Sequence, residues 1–204
     1  MRRIILANKE IYHVYNRGVD KRKIYLNRND YQRFVNGLVI FNTTEQLNGR
    51  RFNKMEIIKS QQPLVNIISY CLMPNHFHLL LEQRIDQGIP KFIHKMNTSF
   101  TMYFNKKYKR SGVLFQGVYK CSHIRSNPCL LEISKYIHTN PIKLFDRTSK
   151  TQINTKNELL KYQWSSFGEY AGTRTESKII DNTAIILEQF KSPDHYIEYV
   201  VGEA

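Results

Sequence analysis

The sequence predicts an α+β fold: a ferredoxin-like βαββαβ sandwich with an antiparallel sheet, an added helix and a C-terminal appendage. Three observations lead there. Short runs rich in β-branched and aromatic residues alternate with longer stretches whose apolar residues recur at three- and four-residue steps. Turn signals built on Pro, Asn and Gly separate the runs. Their order is strand, helix, strand, strand, helix, strand, helix, and the first six members are those of the ferredoxin-like unit.

The segment IYHVYNRGV (11–19) alternates and reads as the first strand. Asn29 or Asp30 then caps a helix in which Tyr31, Phe34, Val35 and Leu38 fall at helical spacing. Residues 42–54 are polar and read as a loop. Pro63 opens the strand LVNIISYCLM (64–73), Pro74-Asn75 supplies a turn, and HFHLLLEQ (76–83) returns as its hairpin partner. From Ile89 through Phe92, Ile93, Met96, Phe100, Tyr103 and Phe104 runs one amphipathic helix to about Tyr108, with Gly112 as its stop. VLFQGVYKCSHI (113–124) reads as a strand, with Gly117 as a bulge or a point of close approach. Asn127-Pro128 starts a helix through Leu130, Leu131, Ile133, Tyr136 and Ile137, which Pro141 ends near Asn140. Residues 1–150 thus form the main domain. Residues 151–204, with a polar linker, YQWSSFGEYAG (162–172) and an acidic tail, form an appendage that Trp164 anchors to the core.

Charge says what kind of partner to expect. Lys plus Arg number 31 against 17 Asp plus Glu, a net charge of +14. Between Gln87 and Leu131 there is no acidic residue, while Lys91, Lys95, Lys106, Lys107, Lys109, Arg110, Lys120 and Arg125 are basic. After residue 150 the balance reverses. A basic excess concentrated in the middle of the chain fits a surface facing a polyanion, although a solvated basic face would look similar. Three cysteines without CxxC spacing predict incidental thiols in a reducing cytoplasm. No run of 18 apolar residues predicts a membrane span.

Two short patterns carry chemistry. In NHFH (75–78), side chains alternate along the strand, so His76 and His78 share one face with Phe77 behind them. Two imidazoles so placed can bind one divalent ion, but HxH alone is a weak signal. In KYIHTNPIK (135–143), Tyr136 and Asn140 lie four apart and so about 40° apart around a helix axis. An amide oxygen at Asn140 is a hard neutral ligand suited to Mg²⁺ or Mn²⁺. The metal would polarise a phosphate oxygen while the phenol of Tyr136 attacks. Spacing alone leaves open that Tyr136 packs in the core and that Asn140 merely ends its helix.

CLMPNHFHLLLE, RSGVLFQGVYK, YIHTNPIK and WSSFGEY, in that order, resemble the REP-associated tyrosine transposases, a branch of the single-tyrosine HUH transposases of bacterial insertion sequences. The resemblance covers roughly residues 8–172. It implies a ferredoxin-like core in which His76 and His78 match the metal-binding pair, Tyr136 the nucleophile and Asn140 the third ligand. It also implies cleavage and rejoining of single-stranded DNA hairpins through a 5′-phosphotyrosine, with Mg²⁺ or Mn²⁺ as cofactor and a monomer as the acting unit. Where many members carry Arg in the GRY/GRF segment, this chain has Val118, which removes one phosphate contact.

Arg17, Lys107, Lys109, Arg110 and Lys120 are the DNA-contact candidates, with Phe115 or Tyr119 available to stack on unpaired bases. Tyr103, beside the basic cluster, is a rival nucleophile that also fits the apolar stripe. His13, His94, His123 and His138 are left aside as lone histidines. Two other readings stay open: a non-catalytic ferredoxin-like nucleic-acid-binding module, and a domesticated nickase that no longer moves an element.

Overall fold

The computed structural model describes residues 5–45, 62–145, 155–174 and 179–202. Much of the expected 42–54 loop and the 146–154 part of the polar linker lie outside the described residues. Four strands form one sheet in the order β2-β3-β1-β4: β1 (Ile11–Arg17), β2 (Val65–Met73), β3 (His76–Gln83) and β4 (Lys120–Ile124). Each neighbouring pair is antiparallel. With α1 (Arg28–Ile40) after β1 and α2 (Gly88–Lys107) after β3, this is the expected ferredoxin-like arrangement.

Alternation along the strands gives the sheet two apolar faces, and each is covered. On one face Tyr12, Val14, Phe77, Leu79 and Leu81 pack with Phe34 and Leu38 of α1 and Phe92, Met96 and Phe100 of α2. On the other, Ile68, Cys71, Met73 and Leu80 pack with Leu130 and Ile137 of α3 (Asn127–Thr139). The C-terminal segment joins this second layer through α4 (Thr155–Lys161), α5 (Phe167–Tyr170), α6 (Ala184–Leu187) and α7 (Pro193–Val201). Its Leu159, Phe167, Tyr170, Ile186 and Tyr196 are buried there. The added helix therefore lies on the open face of the sheet.

The WSS segment closes the β2 edge. Leu72 N donates to the Trp164 carbonyl (2.9 Å), and Ser166 N donates to the Tyr70 carbonyl (2.9 Å). Backbone groups that would otherwise face outward are satisfied. Trp164 stacks on Tyr31 of α1 at 4.8 Å, so it does anchor this segment to the core.

Some element ends differ from expectation. The α1 cap is Asn27, not Asn29 or Asp30; Asp30 is its partner three residues on, in a reciprocal capping box. The strand predicted over 113–124 shrinks to β4, because Gly112 and Gly117 adopt left-handed backbone (φ 82° and 64°) that breaks the ladder. A Cβ on Gly117 would meet nothing within 4 Å, so its role is conformational and not one of close approach.

Asp30 does more than cap. Its side chain is fully buried and accepts from Leu26 N (2.8 Å), Asn27 N (3.2 Å), Tyr103 Oη (2.9 Å), Tyr108 Oη (2.7 Å) and Lys107 Nζ (2.6 Å). Burial alone would raise this carboxyl, but the bonds from Lys107, Tyr108 and the backbone outweigh it and hold it below the ordinary carboxylate range. Its contribution to stability is therefore complete above about pH 4 and lost as pH falls through the lowered value. Asp30→Ala, which leaves Lys107 and two phenols without their acceptor, is expected to lower the unfolding free energy by about 3 kcal/mol at pH 7. Urea unfolding checks this, and the difference between variant and wild type should shrink below pH 4.

Candidate active site on the open face of the sheet

Register places the site. Residues directly opposite in an antiparallel sheet point to the same side. His78 of β3 lies opposite Tyr15 of β1, which lies opposite Lys120 of β4. His76 lies opposite Arg17. His13, Tyr15, Arg17, His76, His78 and Lys120 thus share the face that α3 covers, while Phe77 points into the opposite core.

Above this row stands α3. Ser126 caps its start through a bond from Cys129 N (3.4 Å), and Leu130, Ser134, Ile137 and His138 face inward. Tyr136 is 42% exposed, and its ring stands edge-on to His78 (5.3 Å between centroids) and to His13 (6.0 Å). It is therefore an accessible phenol at the histidine row, not a core residue. Asn140 is buried and does two things at once. Its Nδ2 donates to the Tyr136 carbonyl (2.8 Å), which closes the helix end, while its Oδ1 is left facing Lys143 Nζ at 3.4 Å. Lys143 Nζ also sits 5.4 Å from the centre of the Tyr136 ring.

The histidines are kept neutral. His76 Nδ1 is 2.6 Å from Asn75 Oδ1 and His78 Nδ1 is 2.9 Å from His13 Nε2. Burial is the main cause that lowers both pKa values; Lys143 adds to it at each, and His13 and His76 add at His78. A hydrogen bond that the His76 ring donates to the Asn140 side chain works the other way. Burial also brings His13 down to about 4.

The donor set fits a divalent ion. Both Nδ1 atoms are engaged by protein partners, so Nε2 of His76 and of His78 are the atoms that could meet such an ion, beside the Asn140 amide. Among the described residues no three His, Cys, Asp or Glu side chains gather to hold a metal. Were an ion bound here, Asn140 would offer it a hard, neutral amide oxygen, which is acceptable to Mg²⁺ or Mn²⁺.

The other sequence candidates separate. Arg17 is exposed beside His76, its Nε donating to Gln116 Oε1 (2.5 Å), and Lys120 is exposed on the same sheet face. Lys107 is spent on Asp30. Arg110 donates to Asn105 Oδ1 (2.8 Å) and lies over the Phe104 ring, whereas Lys109 is exposed. All three lie at the C-terminal end of α2, in the layer across the sheet from α3. Phe115 is not available for stacking: it is buried in the core against Phe77 and Phe100. Tyr119 is half-buried against the same cluster. Tyr103, the rival nucleophile, is bonded to Asp30 and Lys107 and sits across the sheet from Tyr136. His94 is exposed on α2, and His123 bonds Glu10 (2.6 Å).

Sequence reasoning missed Lys143 and set His13 aside. Lys143 stands seven residues, two helical turns, after Tyr136, a spacing that would have flagged it.

His138 holds α3 in place. Its Nε2 meets Ser166 Oγ (2.8 Å) and its Nδ1 meets Tyr196 Oη (2.6 Å). Tyr196 Oη donates to Ser134 Oγ (3.2 Å), which donates to the Leu131 carbonyl (2.9 Å). Ser166 Oγ accepts from Tyr70 N (2.9 Å). With the Ser166 hydroxyl turned to His138 Nε2, the shorter contact, and not to the Tyr70 carbonyl at 3.2 Å, the directions close with His138 neutral and its proton on Nδ1. Burial, with Arg174 nearby, accordingly pushes its pKa down to about 3.

Comparison with known proteins agrees with this architecture. The structure resembles that of a REP-associated tyrosine transposase bound to a REP hairpin, with a TM-score of 0.54 and 12% identity, over 90% of this chain and 95% of the other. The fold is thus that of a tyrosine transposase. The family model of the IS200-like transposases matches residues 43–140, from before β2 to the end of α3. No curated protein sequence matches it. Among the described residues no helix is long and apolar enough to cross a membrane.

The depressed histidines set an acid limit. Each is neutral in the fold and takes a proton when unfolded below about pH 6.5, so its stabilisation is complete above that pH and declines toward the folded value. For His138 that window runs down to about 3. Metal-free protein should lose up to about 1.4 kcal/mol per pH unit from this residue below pH 6.5. Urea unfolding at pH 7 and 5.5 measures the slope, and His138→Gln should reduce it.

Proposed function

We propose that this chain cleaves and rejoins single-stranded DNA at hairpins, with Tyr136 as the nucleophile. The observation that carries the reading is the exposed Tyr136 phenol held edge-on to a buried histidine pair, with Asn140 one turn further on. The family model that matches residues 43–140 is one of IS200-like transposases, and the similar structure is of a transposase bound to a REP hairpin.

In this reading the Tyr136 oxygen attacks a phosphate of the strand. A bond forms from that oxygen to phosphorus, the bond from phosphorus to the 3′-oxygen breaks, and the phenolic proton leaves as the departing oxygen becomes a 3′-hydroxyl. The product is a 5′-phosphotyrosine. Because one phosphodiester is exchanged for another, a 3′-hydroxyl can reverse the step without ATP. His76, His78 and Asn140 would hold Mg²⁺ or Mn²⁺, which when bound polarises a phosphate oxygen and offsets the charge that develops there. Lys143 places a cation beside the phenol and Arg17 places another beside His76, both suited to a phosphate. Lys120 extends this basic row along the sheet. Lys109 and Arg110 lie at the end of α2 as contacts for the flanking strand, whereas Lys107 is held by Asp30. A monomer suffices, because histidines and tyrosine meet within one chain.

The test is a denaturing gel of the protein with a single-stranded hairpin oligonucleotide taken from its own flanking palindromes. Wild type with Mg²⁺ or Mn²⁺ should give a covalent adduct. Tyr136→Phe, His76→Ala and added EDTA should each abolish it. An adduct that persists in Tyr136→Phe sinks the nucleophile assignment, and hairpin binding in EDTA with no adduct from wild type would favour a binding module. Lys143→Met, which keeps most of the side-chain volume, should slow adduct formation by about 10²-fold while hairpin binding changes little.

A further inference from the structure

His13 stands outside the metal-binding set, yet it is the residue on which His78 leans. It lies on the neighbouring strand and is 6% exposed. Its Nε2 is 2.9 Å from His78 Nδ1, the two rings stack at 5.1 Å with an angle of 19°, and Tyr15 stacks on both. The hydrogen bond between two neutral imidazoles has two forms. In one, His78 carries its proton on Nδ1 and donates it to His13 Nε2, so His78 Nε2 holds a free lone pair. In the other, His13 Nε2–H donates to His78 Nδ1, and His78 Nε2 bears the proton. Only the first form can bind a metal through Nε2.

We propose that His13 is a positioning residue that accepts the Nδ1 proton of His78 and so fixes the tautomer and ring orientation that the metal site requires. The inference rests on the metal-site reading above. Carboxylates, backbone carbonyls or water commonly fill this place. A carboxylate would bring a negative charge next to the ligand and offset part of the cation's charge. An imidazole sets the tautomer without adding charge, in keeping with a ligand set made of two imidazoles and an amide. Stacking adds what a point acceptor could not: with Tyr15 along the same face, His13 fixes the plane of the His78 ring and hence the direction of Nε2.

The experiment measures Mn²⁺ binding to the DNA-free protein by the EPR signal of free Mn²⁺, with ¹⁵N NMR of the histidine rings in metal-free wild type. His13→Phe should weaken Mn²⁺ binding about 10- to 100-fold, while His13→Gln, whose amide oxygen can still accept, should stay within a few-fold of wild type. His78 in the metal-free wild type should be the Nδ1–H tautomer. Wild-type affinity in His13→Phe, with His78→Ala still abolishing binding, overturns the role of His13 and leaves the metal site standing. An Nε2–H tautomer of His78 overturns it without any variant, which covers the case in which His13→Phe fails to fold. Mn²⁺ binding that ignores His78→Ala removes the metal site and this inference together.

Discussion

The pairing of β1 with β3 is the constraint on which the rest depends. Tyr15 opposite His78 and Arg17 opposite His76 decide which side chains face α3. Side chains alternate along a strand, so a slip of one residue would turn His76 and His78 into the core beneath α1 and α2. It would also drive Phe77, Leu79 and Leu81 against the phenol. What forbids the slip is apolar burial on both faces: Tyr12 and Val14 belong to one core, Leu80 and Ile124 to the other. The site is therefore pinned mostly by residues that take no part in its chemistry, and buried leucines on β3 set the aim of the imidazoles between them.

A second fixed element is needed, because the tyrosine arrives on a helix and not on the sheet. Its height above the histidines depends on how α3 is seated. The chain of bonds from Tyr70 through Ser166, His138 and Tyr196 to Ser134 runs from β2 through the C-terminal segment and back to α3. Every member has its partner, so the buried polar groups cost little and the geometry is unique. Imidazole suits the middle of such a chain, since it donates from one end and accepts at the other while uncharged. Residues 155–174 and 179–202 are thus more than a decoration on the main domain: they bridge the sheet to the helix that carries Tyr136, and they close the β2 edge.

Much of this was legible in the sequence, for reasons that differ from residue to residue. Period-two alternation in 76–83 placed both histidines on one face, and the four-residue step from Tyr136 to Asn140 placed them on one side of a helix. Both are local facts. The α1 cap was misplaced because the two halves of a capping box, Asn27 and Asp30, are both capping residues, and only coordinates tell which precedes the helix. Lys107 read as a free cation because its acceptor lies far away in sequence, in the first turn of α1. Phe115 read as available for stacking because its strand was drawn too long; in the fold it is a core residue just before the turn at Gly117. His13 escaped because its value depends on a neighbour across the β1–β3 pair, and a register of that kind is not written in either strand alone.

The basic surplus also looks different once its members are placed. Lys107 is consumed by Asp30 and Arg110 is tied to Asn105 and Phe104, so part of the positive charge in the acid-free stretch serves the fold. Lys143 stands beside the phenol and Arg17 beside His76, and neither lies in that stretch. A site for a phosphate gains most from positive charge that nothing nearby cancels, because attraction grows as water is excluded. Two imidazoles and an amide as ligands, with an imidazole behind one of them, add no negative charge of their own. A divalent ion held there would keep its full charge for the phosphate, with Lys143 and Arg17 acting in the same direction. Net charge drew attention to the right class of partner, but it is the neutrality of the ligands, and not the count of lysines, that would make this corner of the sheet a place for an anion.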